Sequence, residues 1–186
     1  MASVFTHAFV ALSLGSAILP RGAAARVWFI GAACAVIPDL DVIGFWWGIP
    51  YEHVLGHRGL THSLAFAAIL SGLLIAIGFR DRVWRTVRSR VWLYLFLATA
   101  SHGFLDALTH GGLGIAFFAP FDDTRYLFPF RPIPAAPLSI AGFFTAEGLR
   151  ILGSEVVWIW IPATVFIAIG WRYRKASIHP SHSARR

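Results

Sequence analysis

The chain has 186 residues and a formal net charge of +7, and it is 57% hydrophobic and only 13% charged. Soluble domains carry about 25% charged residues, so this composition excludes an ordinary soluble domain and predicts a membrane protein. The single cysteine, Cys34, excludes a disulfide framework and a cysteine-based metal site.

Apolar segments recur along the chain and predict an all-α, polytopic membrane helical bundle of about five spans. The first segment is shorter than the others and rich in small residues. Because no basic residue precedes it, we expect it to belong to the mature protein rather than to a signal peptide. In chain order the segments are Val4 to Leu19, Val27 to Trp47, Leu64 to Phe79, Val91 to Leu108 and Val156 to Trp171.

The basic residues give these segments an orientation. Arginines are concentrated after the first, third and last segments, and the positive-inside rule places such loops in the cytoplasm. This distribution predicts a multi-pass protein of a bacterial-type inner membrane, with the N-terminus outside and the C-terminus in the cytoplasm. It also accounts for the net charge without a nucleic-acid partner.

Residues with metal-binding side chains then fall at the outer ends of the segments. His7 begins the first segment, where a lone histidine is more often interfacial than a ligand. Asp39 and Asp41 end the second segment. In extended chain two such side chains point to opposite sides, so both can reach one site only if the chain bends, and Pro38 favours a bend. The alternative is an interfacial turn with solvated acids. Carboxylates below the membrane surface are costly unless they are paired or bind a cation.

The stretch GHRGLTHSL precedes the third segment and places His57 and His62 around Arg58. One interpretation is a polar helix start, in which Thr61 or Ser63 caps the helix and the histidines lie in interfacial water. The other is a metal site, in which the two hydroxyl groups hydrogen-bond to the ligands.

The fourth segment contains His102, Asp106 and His110 at intervals of four residues. This spacing places all three on one broad face of a helix. A His-x-x-x-Asp pair on a helix is a natural two-residue arm for a metal. The segment also ends on the outer side, so the charge bias and the ligand positions together predict a single site at the outer face.

The region from Ile115 to Gly153 is rich in proline and aromatic residues and predicts a loop lying on the membrane. Its Arg125 and Arg131 are either solvated interfacial charges or substrate-binding groups that receive a phosphate. The fifth segment is expected to begin near Glu155. We expect Glu147 and Glu155 to interact with the helix dipole rather than with a metal.

The chemistry of these residues favours a hard or borderline divalent ion. Imidazoles and carboxylates without a thiolate suit zinc, and manganese and iron also fit. Such ions lower the pKa of a bound water from about 15.7 toward about 7 and promote displacement at phosphorus. Arg58 and Asp41 are the predicted catalytic residues, with Arg58 holding a phosphoryl oxygen or a carboxylate ligand.

The motifs T-H-A, P-D-L-D, H-R-G-L-T-H-S and S-H-G-F-L-D-A-L-T-H-G, followed by FPFRPIP, resemble the YdjM-like inner-membrane metal-dependent hydrolases. The resemblance covers about Phe5 to Trp171, and that family is similar in motif order to zinc-dependent phospholipase C and S1/P1 nuclease enzymes. It implies a phospholipase C/P1 nuclease-like metal site at one face of the bundle. The implied ligands are His7, Asp39, His57, His62, His102, Asp106 and His110, with His57 or His62 as the direct ligand at one position.

The resemblance departs from the soluble enzymes in two respects. No N-terminal amino-group ligand and no late histidine ligand are matched, so one or two ions are expected rather than three. Thr61 and Ser63 are predicted to support the ligands by hydrogen bonds.

These observations predict a membrane-bound metal-dependent hydrolase that acts on a phosphoester, such as a lipid headgroup, with membrane lipid as its surroundings. Its predicted domains are a membrane-embedded hydrolase domain, 1–175, and a basic flexible tail, 176–186. The alternative is a non-enzymatic metal-binding or transport protein. A transporter would place polar groups near the membrane midplane and often contains internal repeats, and neither feature is present in the sequence. No feature indicates an oligomeric state.

Overall fold

The computed structural model describes residues 1–136 and 140–176, and apart from two isolated β-bridges these residues form helices and irregular segments. The all-α fold class is confirmed. The predicted tail, 176–186, lies outside the described residues except for its first position. The helices are α1 (Val4–Ile18), α2 (Ala25–Cys34), α3 (Leu64–Gly78), α4 (Arg88–Ala107), α5 (Ile140–Phe143), α6 (Ala146–Glu155) and α7 (Ile161–Ala176). Segments Ile37–Trp47, Leu60–His62 and Arg82–Trp84 are 3₁₀-helical, and Val156–Trp160 is π-helical.

Helix α4 lies at the centre, and α1, α2 and α3 pack against it. Its residues Tyr94, Leu95 and Ala98 are fully buried and follow the period of one helical face. The two ends of α4 differ in chemistry, since Arg88 lies at one end and Asp106 at the other. A rise of 1.5 Å per residue separates these two positions by about 27 Å.

Close contact between α2 and α4 depends on a glycine. A Cβ atom at Gly31 would lie 2.1 Å from the hydroxyl oxygen of Tyr94 and 2.2 Å from the adjacent ring carbon. The Tyr94 side chain is completely buried, so it has little room to move away. Gly31 therefore allows the two helices to approach with the tyrosine ring between them.

Helix α2 ends at Cys34, and the 3₁₀ segment Ile37–Trp47 follows it at an angle of about 40°. Pro38 lacks the N–H that would bond to the carbonyl oxygen of Cys34, so the α-helical pattern cannot continue. The predicted second span is therefore a bent pair of helical segments.

The C-terminal helix is continuous from α6 through the π-helical turn into α7. It begins at Ala146, where the Thr145 hydroxyl accepts the N–H of Gly148 at 3.1 Å, and so it starts earlier than the predicted start near Glu155. The π-helical turn ends two residues before Pro162, which lacks an N–H for the ordinary helical bond.

The stretch Ala146–Arg172 is long and apolar enough to cross a membrane. If α2 and the 3₁₀ segment Ile37–Trp47 together form one bent span, the structure contains two candidate membrane spans among the described residues. The prediction of about five spans is therefore wrong for the part of the chain that the structure describes. Helices α1 and α3 have 15 residues each, and their length of about 22 Å is less than a hydrocarbon core of about 30 Å. Helix α4 is long enough, but its apolar residues form the protein core and its first turn contains Arg88 and Arg90.

The contact at Gly31 generates a stability prediction. Gly31→Ala should lower the free energy of unfolding by about 1–3 kcal/mol, because the added methyl group overpacks against Tyr94. Thermal unfolding of the detergent-purified protein measures this effect.

The matched control is Gly72→Ala in α3, where a Cβ would meet no atom within 4 Å. This change should raise stability by about 0.5–1 kcal/mol, because alanine favours the helix. A Gly31→Ala protein that melts at or above the wild-type temperature would contradict the packing described here.

Candidate metal centre

Asp39 and Asp41 lie in the 3₁₀ segment that follows α2, just after the bend that the sequence predicts at Pro38. Three residues per turn place such a pair about 120° apart around the axis. The two carboxylates contact opposite ring nitrogens of His62. Asp39 Oδ1 lies 3.7 Å from His62 Nε2, and Asp41 Oδ2 lies 3.2 Å from His62 Nδ1.

Helix α4 contributes His102 and Asp106, one turn apart. The Nδ1–H of His102 donates to the carbonyl oxygen of Ala35 at 2.7 Å, which is available because α2 has ended one residue earlier. This bond orients the ring so that Nε2 points into the cluster, 3.2 Å from Asp39 Oδ1. A neutral histidine held in this way presents an unprotonated Nε2 to a metal.

Four side chains that could ligate a metal ion converge in one buried group, and by metal cluster we mean these side chains: Asp39, His62, His102 and Asp106. One ligand atom from each lies within 4.8 Å of the others. The residues are 8%, 2%, 0% and 0% exposed, respectively. Asp39 Oδ1, the two Nε2 atoms and Asp106 Oδ2 have no hydrogen-bond partner among the described residues. Buried polar atoms are nearly always paired, so this arrangement is typical of a ligand site.

The electrostatics of the cluster also favour a cation. Burial disfavours the charged imidazolium of His62, but the Asp39 and Asp41 carboxylates outweigh burial and raise its pKa to about 9. The same carboxylates that stabilise the imidazolium would stabilise a divalent cation, and binding of that cation at His62 Nε2 would displace the proton.

Asp41, His57 and His62 form a second group of side chains that could hold a metal ion, and His62 belongs to both groups. Asp41 already accepts several bonds: His57 Nδ1 lies 2.7 Å from Oδ1, and Thr61 Oγ1 donates to Oδ2 at 2.7 Å. The backbone N–H of Arg58 donates to Oδ2 at 3.2 Å. Asp41 thus orients the neighbouring histidines, and His62 rather than His57 belongs to the metal cluster.

His7 reaches the same region from α1. Its ring stacks on that of His102 with 3.8 Å between centroids, and its Nε2 lies 3.5 Å from Asp106 Oδ1. The side chain is fully buried, and neither ring nitrogen has a hydrogen-bond partner among the described residues. His7 therefore borders the metal cluster in the position of a further ligand rather than at an interface with water.

Arg58 is buried and holds a carboxylate in place. Its Nε lies 3.4 Å from Asp106 Oδ2, while its Nη1 donates to the carbonyl oxygen of Gly111 at 2.9 Å and its Nη2 to the Thr109 hydroxyl at 3.2 Å. Its backbone φ is 65°, in the left-handed region that residues other than glycine seldom adopt. Of the two predicted roles, the geometry matches the one in which Arg58 positions a ligand.

Three predicted residues lie away from the metal cluster. His110 is exposed, and its backbone N–H donates to the carbonyl oxygen of Ile133. Because α4 ends at Ala107, the four-residue spacing no longer places His110 on the helical face of His102 and Asp106. Ser63 caps α3 by accepting the N–H of Phe66 at 3.0 Å. None of the described contacts joins Arg131 to the cluster.

Arg125 links two irregular segments instead of facing the cluster. Its guanidinium donates to four backbone carbonyl oxygens, which belong to Tyr51, His53, His57 and Gly114. It therefore holds the loop around His57 against the irregular region that follows α4.

The structure assigns contacts to the N-terminal residues that the sequence did not predict, and it places Glu155 against α1 rather than in the expected role at a helix start. The backbone N–H of Ala2 donates to Asp106 Oδ1 at 2.7 Å. Glu155 is fully buried and accepts the N–H of Ser3 at 2.6 Å, the Ser3 hydroxyl, and the Thr6 hydroxyl at 2.7 Å. The position of Glu155 beside an apolar run could have indicated that its carboxylate needs buried donors. No feature of the sequence indicated that the backbone of Ala2 contacts Asp106.

Comparison with known proteins supports the membrane assignment. Residues 1–177 match the family described as YdjM inner membrane protein. The inner membrane protein YbcI of Escherichia coli (strain K12) is 36% identical over 175 residues, which cover 94% of this chain and all of that protein. No solved structure matches the chain.

The Glu155 contacts generate a second stability prediction. Glu155→Ala leaves two hydroxyls and a backbone N–H without their acceptor in a buried region, which should cost about 2–4 kcal/mol. Glu147→Ala on the same helix is the control, because its ion pair with Arg150 is solvent-exposed and should contribute little.

Thermal unfolding of both variants measures the difference. If the two melt at the same temperature, the contacts between Glu155 and the start of α1 do not stabilise the protein.

Proposed function

The chain belongs to the YdjM inner membrane protein family, and we propose that its metal cluster binds a divalent ion and hydrolyses a phosphoester at the membrane. The observation that carries this proposal is the convergence of four buried ligand atoms that lack hydrogen-bond partners among the described residues. Two carboxylates and two imidazoles favour zinc, and manganese or iron suit the same donors.

The distances within the cluster fit a small ion. Tetrahedral ligands with bonds of about 2.0–2.1 Å lie about 3.3–3.4 Å from one another. The corresponding separations here are 3.2 Å for His102 Nε2 to Asp39 Oδ1, 3.7 Å for His62 Nε2 to Asp39 Oδ1 and 4.0 Å for His62 Nε2 to Asp106 Oδ2. Small side-chain rotations would bring these atoms into coordination.

The surrounding residues would prepare the ligands. His62 Nδ1 lies 3.0 Å from the Thr61 hydroxyl and 3.2 Å from Asp41 Oδ2, and these acceptors would keep a proton on Nδ1 and leave Nε2 free to coordinate, as the Ala35 carbonyl does for His102. Ala2 holds Asp106 Oδ1 and leaves Oδ2 directed into the cluster. The bound ion would supply a water of lowered pKa and stabilise charge on the phosphoryl group. His7 lies next to Asp106, and burial lowers its pKa to about 4, so its neutral ring could serve as a further ligand.

A lipid headgroup is the proposed source of the phosphoester. The same 3₁₀ segment that contains Asp39 continues into Trp46 and Trp47, whose side chains are 85% and 78% exposed. Exposed tryptophans are typical of the membrane–water interface. Since the arginine-rich end of α4 lies at the opposite end of the protein, the proposed orientation places the cluster on the outer face.

A specific observation favours a second candidate function, which is metal binding without catalysis. The ligand residues are at most 8% exposed, and closed sites of this kind are typical of structural ions. Catalysis requires that the substrate reach the ion. The two functions share the metal cluster and differ in hydrolytic activity.

Metal binding is tested first, by elemental analysis of the detergent-purified protein after loading with zinc or manganese. The wild type should retain about one ion per four-ligand cluster, and His62→Ala and Asp106→Asn should each lose it. His110→Ala is the matched control, because this histidine lies outside the cluster, and it should retain the ion.

Thermal unfolding with and without added metal provides a second readout, since an ion that binds only the folded state raises the melting temperature. A wild type without bound metal and without a thermal shift would falsify the metal proposal.

Hydrolysis is tested on the metal-loaded protein with bis(p-nitrophenyl) phosphate and with phospholipid in mixed micelles. The wild type should release product, and His62→Ala should not. Asp41→Asn should retain the ion but react about 10–100-fold more slowly, because the orienting carboxylate is lost. Metal-loaded wild type that cleaves neither substrate rejects the hydrolase and leaves the second candidate.

A further inference from the structure

The end of the protein opposite the metal cluster is strongly basic. It comprises the turn after α1, the start of α2, the connection from α3 to α4 and the first turn of α4. Seven arginines lie there with a single acid, Asp81: Arg21, Arg26, Arg80, Arg82, Arg85, Arg88 and Arg90. Such an excess of positive charge favours an anionic partner.

Two grooves flank the C-terminal end of α1 at this basic end. The first has a volume of about 530 Å³ and lies between α1, Trp28 of α2 and the α7 residues Phe166 and Gly170. The second has a volume of about 690 Å³ and lies between α1 and the α4 residues Arg90 and Leu93. The grooves share one stretch of wall, which consists of Ala17, Leu19, Pro20 and Arg21.

Arg21 and Arg90 differ from Arg26 and Arg88 in their hydrogen bonds, and from the equally exposed Arg82 and Arg85 in that they line the grooves. Arg26 donates to the carbonyl oxygen of Gly78, and Arg88 donates to those of Phe79 and Arg80. Arg21 and Arg90 are exposed, and within 1–136 and 140–176 neither forms a hydrogen bond or an ion pair. Arg26 and Arg88 therefore support the fold, while Arg21 and Arg90 are available to a ligand.

We propose that one anionic diacyl phospholipid binds across both grooves, with an acyl chain in each and its phosphate between Arg21 and Arg90. A phospholipid joins two apolar chains to one charged group, and the two grooves, each lined in part by apolar side chains, meet at one shared arginine. The occupant is a lipid because an inner membrane protein is surrounded by phospholipid and because α7, which forms one wall, belongs to the stretch that can cross a membrane. The charge of the headgroup is set by the arginines.

This site is independent of the metal cluster. It lies at the Arg90 end of α4, and Asp106 lies at the other end, about 24 Å away along the helix axis. The lipid would hold α1, α4 and α7 together at the basic end and fix this end in the cytoplasmic leaflet. A failure of the lipid site leaves metal binding and hydrolysis unaffected.

The test is native mass spectrometry of the detergent-purified protein titrated with phosphatidylglycerol and, separately, with phosphatidylcholine. The wild type should retain one phosphatidylglycerol in preference to phosphatidylcholine. The Arg21→Gln, Arg90→Gln double variant should bind phosphatidylglycerol about 30-fold more weakly, since each arginine contributes about 1 kcal/mol.

The matched control is the Arg82→Gln, Arg85→Gln double variant. It removes the same charge from the same end, but neither residue lines either groove. Its affinity should change less than about threefold, because distant exposed charges are screened. Equal losses in the two double variants would show diffuse attraction and overturn the proposal, as would unchanged binding in both.

The acyl-chain part is tested by filling a groove. Gly170 lines the first groove, and a Cβ there would meet no atom within 4 Å, so Gly170→Leu can begin a side chain at this wall of the groove. It should weaken lipid retention, while Gly72→Leu, at an equally open position outside both grooves, should not. Wild-type retention in Gly170→Leu overturns the placement of an acyl chain in that groove.

Discussion

Two buried carboxylates, those of Asp39 and Asp106, are the constraint on which the rest of the structure depends. A carboxylate removed from water is costly unless donors or cations surround it. Asp106 draws the first residues of the chain toward α4 through the N–H of Ala2, and it brings the Arg58 guanidinium inward. Asp39 requires α2 to end early, so that a 3₁₀ turn can place it beside His62 and His102. The residues that surround these acids leave ligand atoms of the cluster unpaired, and for this reason the cluster could hold a metal ion.

Glu155 shows the same principle in a different form. Its carboxylate is also fully buried, but hydroxyl and backbone donors at the start of α1 satisfy it. The result is a structural link from the C-terminal helix to the residues before His7. The contrast explains why one buried acid serves the fold whereas Asp39 and Asp106 provide candidate ligands.

Hydropathy identified the correct helices in broad outline but overestimated how many of them can cross a membrane. A run such as Leu64 to Phe79 is apolar whether its side chains face lipid or the interior of the protein. In α4, Tyr94 and Leu95 are core residues that pack against α1, α2 and α3. In the C-terminal helix, Trp158 and Phe166 are exposed. Both helices are rich in apolar residues, and only helix packing decides whether those side chains face the protein interior or its surface.

The sequence alone determined the helical class, the membrane association and most of the candidate ligands, because apolar runs and buried-type polar residues have clear local signatures. The tertiary structure decided which candidates meet. It placed His62 rather than His57 in the metal cluster and left His110 outside, since α4 ends at Ala107. It also recruited Ala2 and Glu155, whose partners are 104 and 152 residues away in the chain. Contacts over such distances depend on how the helices pack, and no local pattern of residues encodes them.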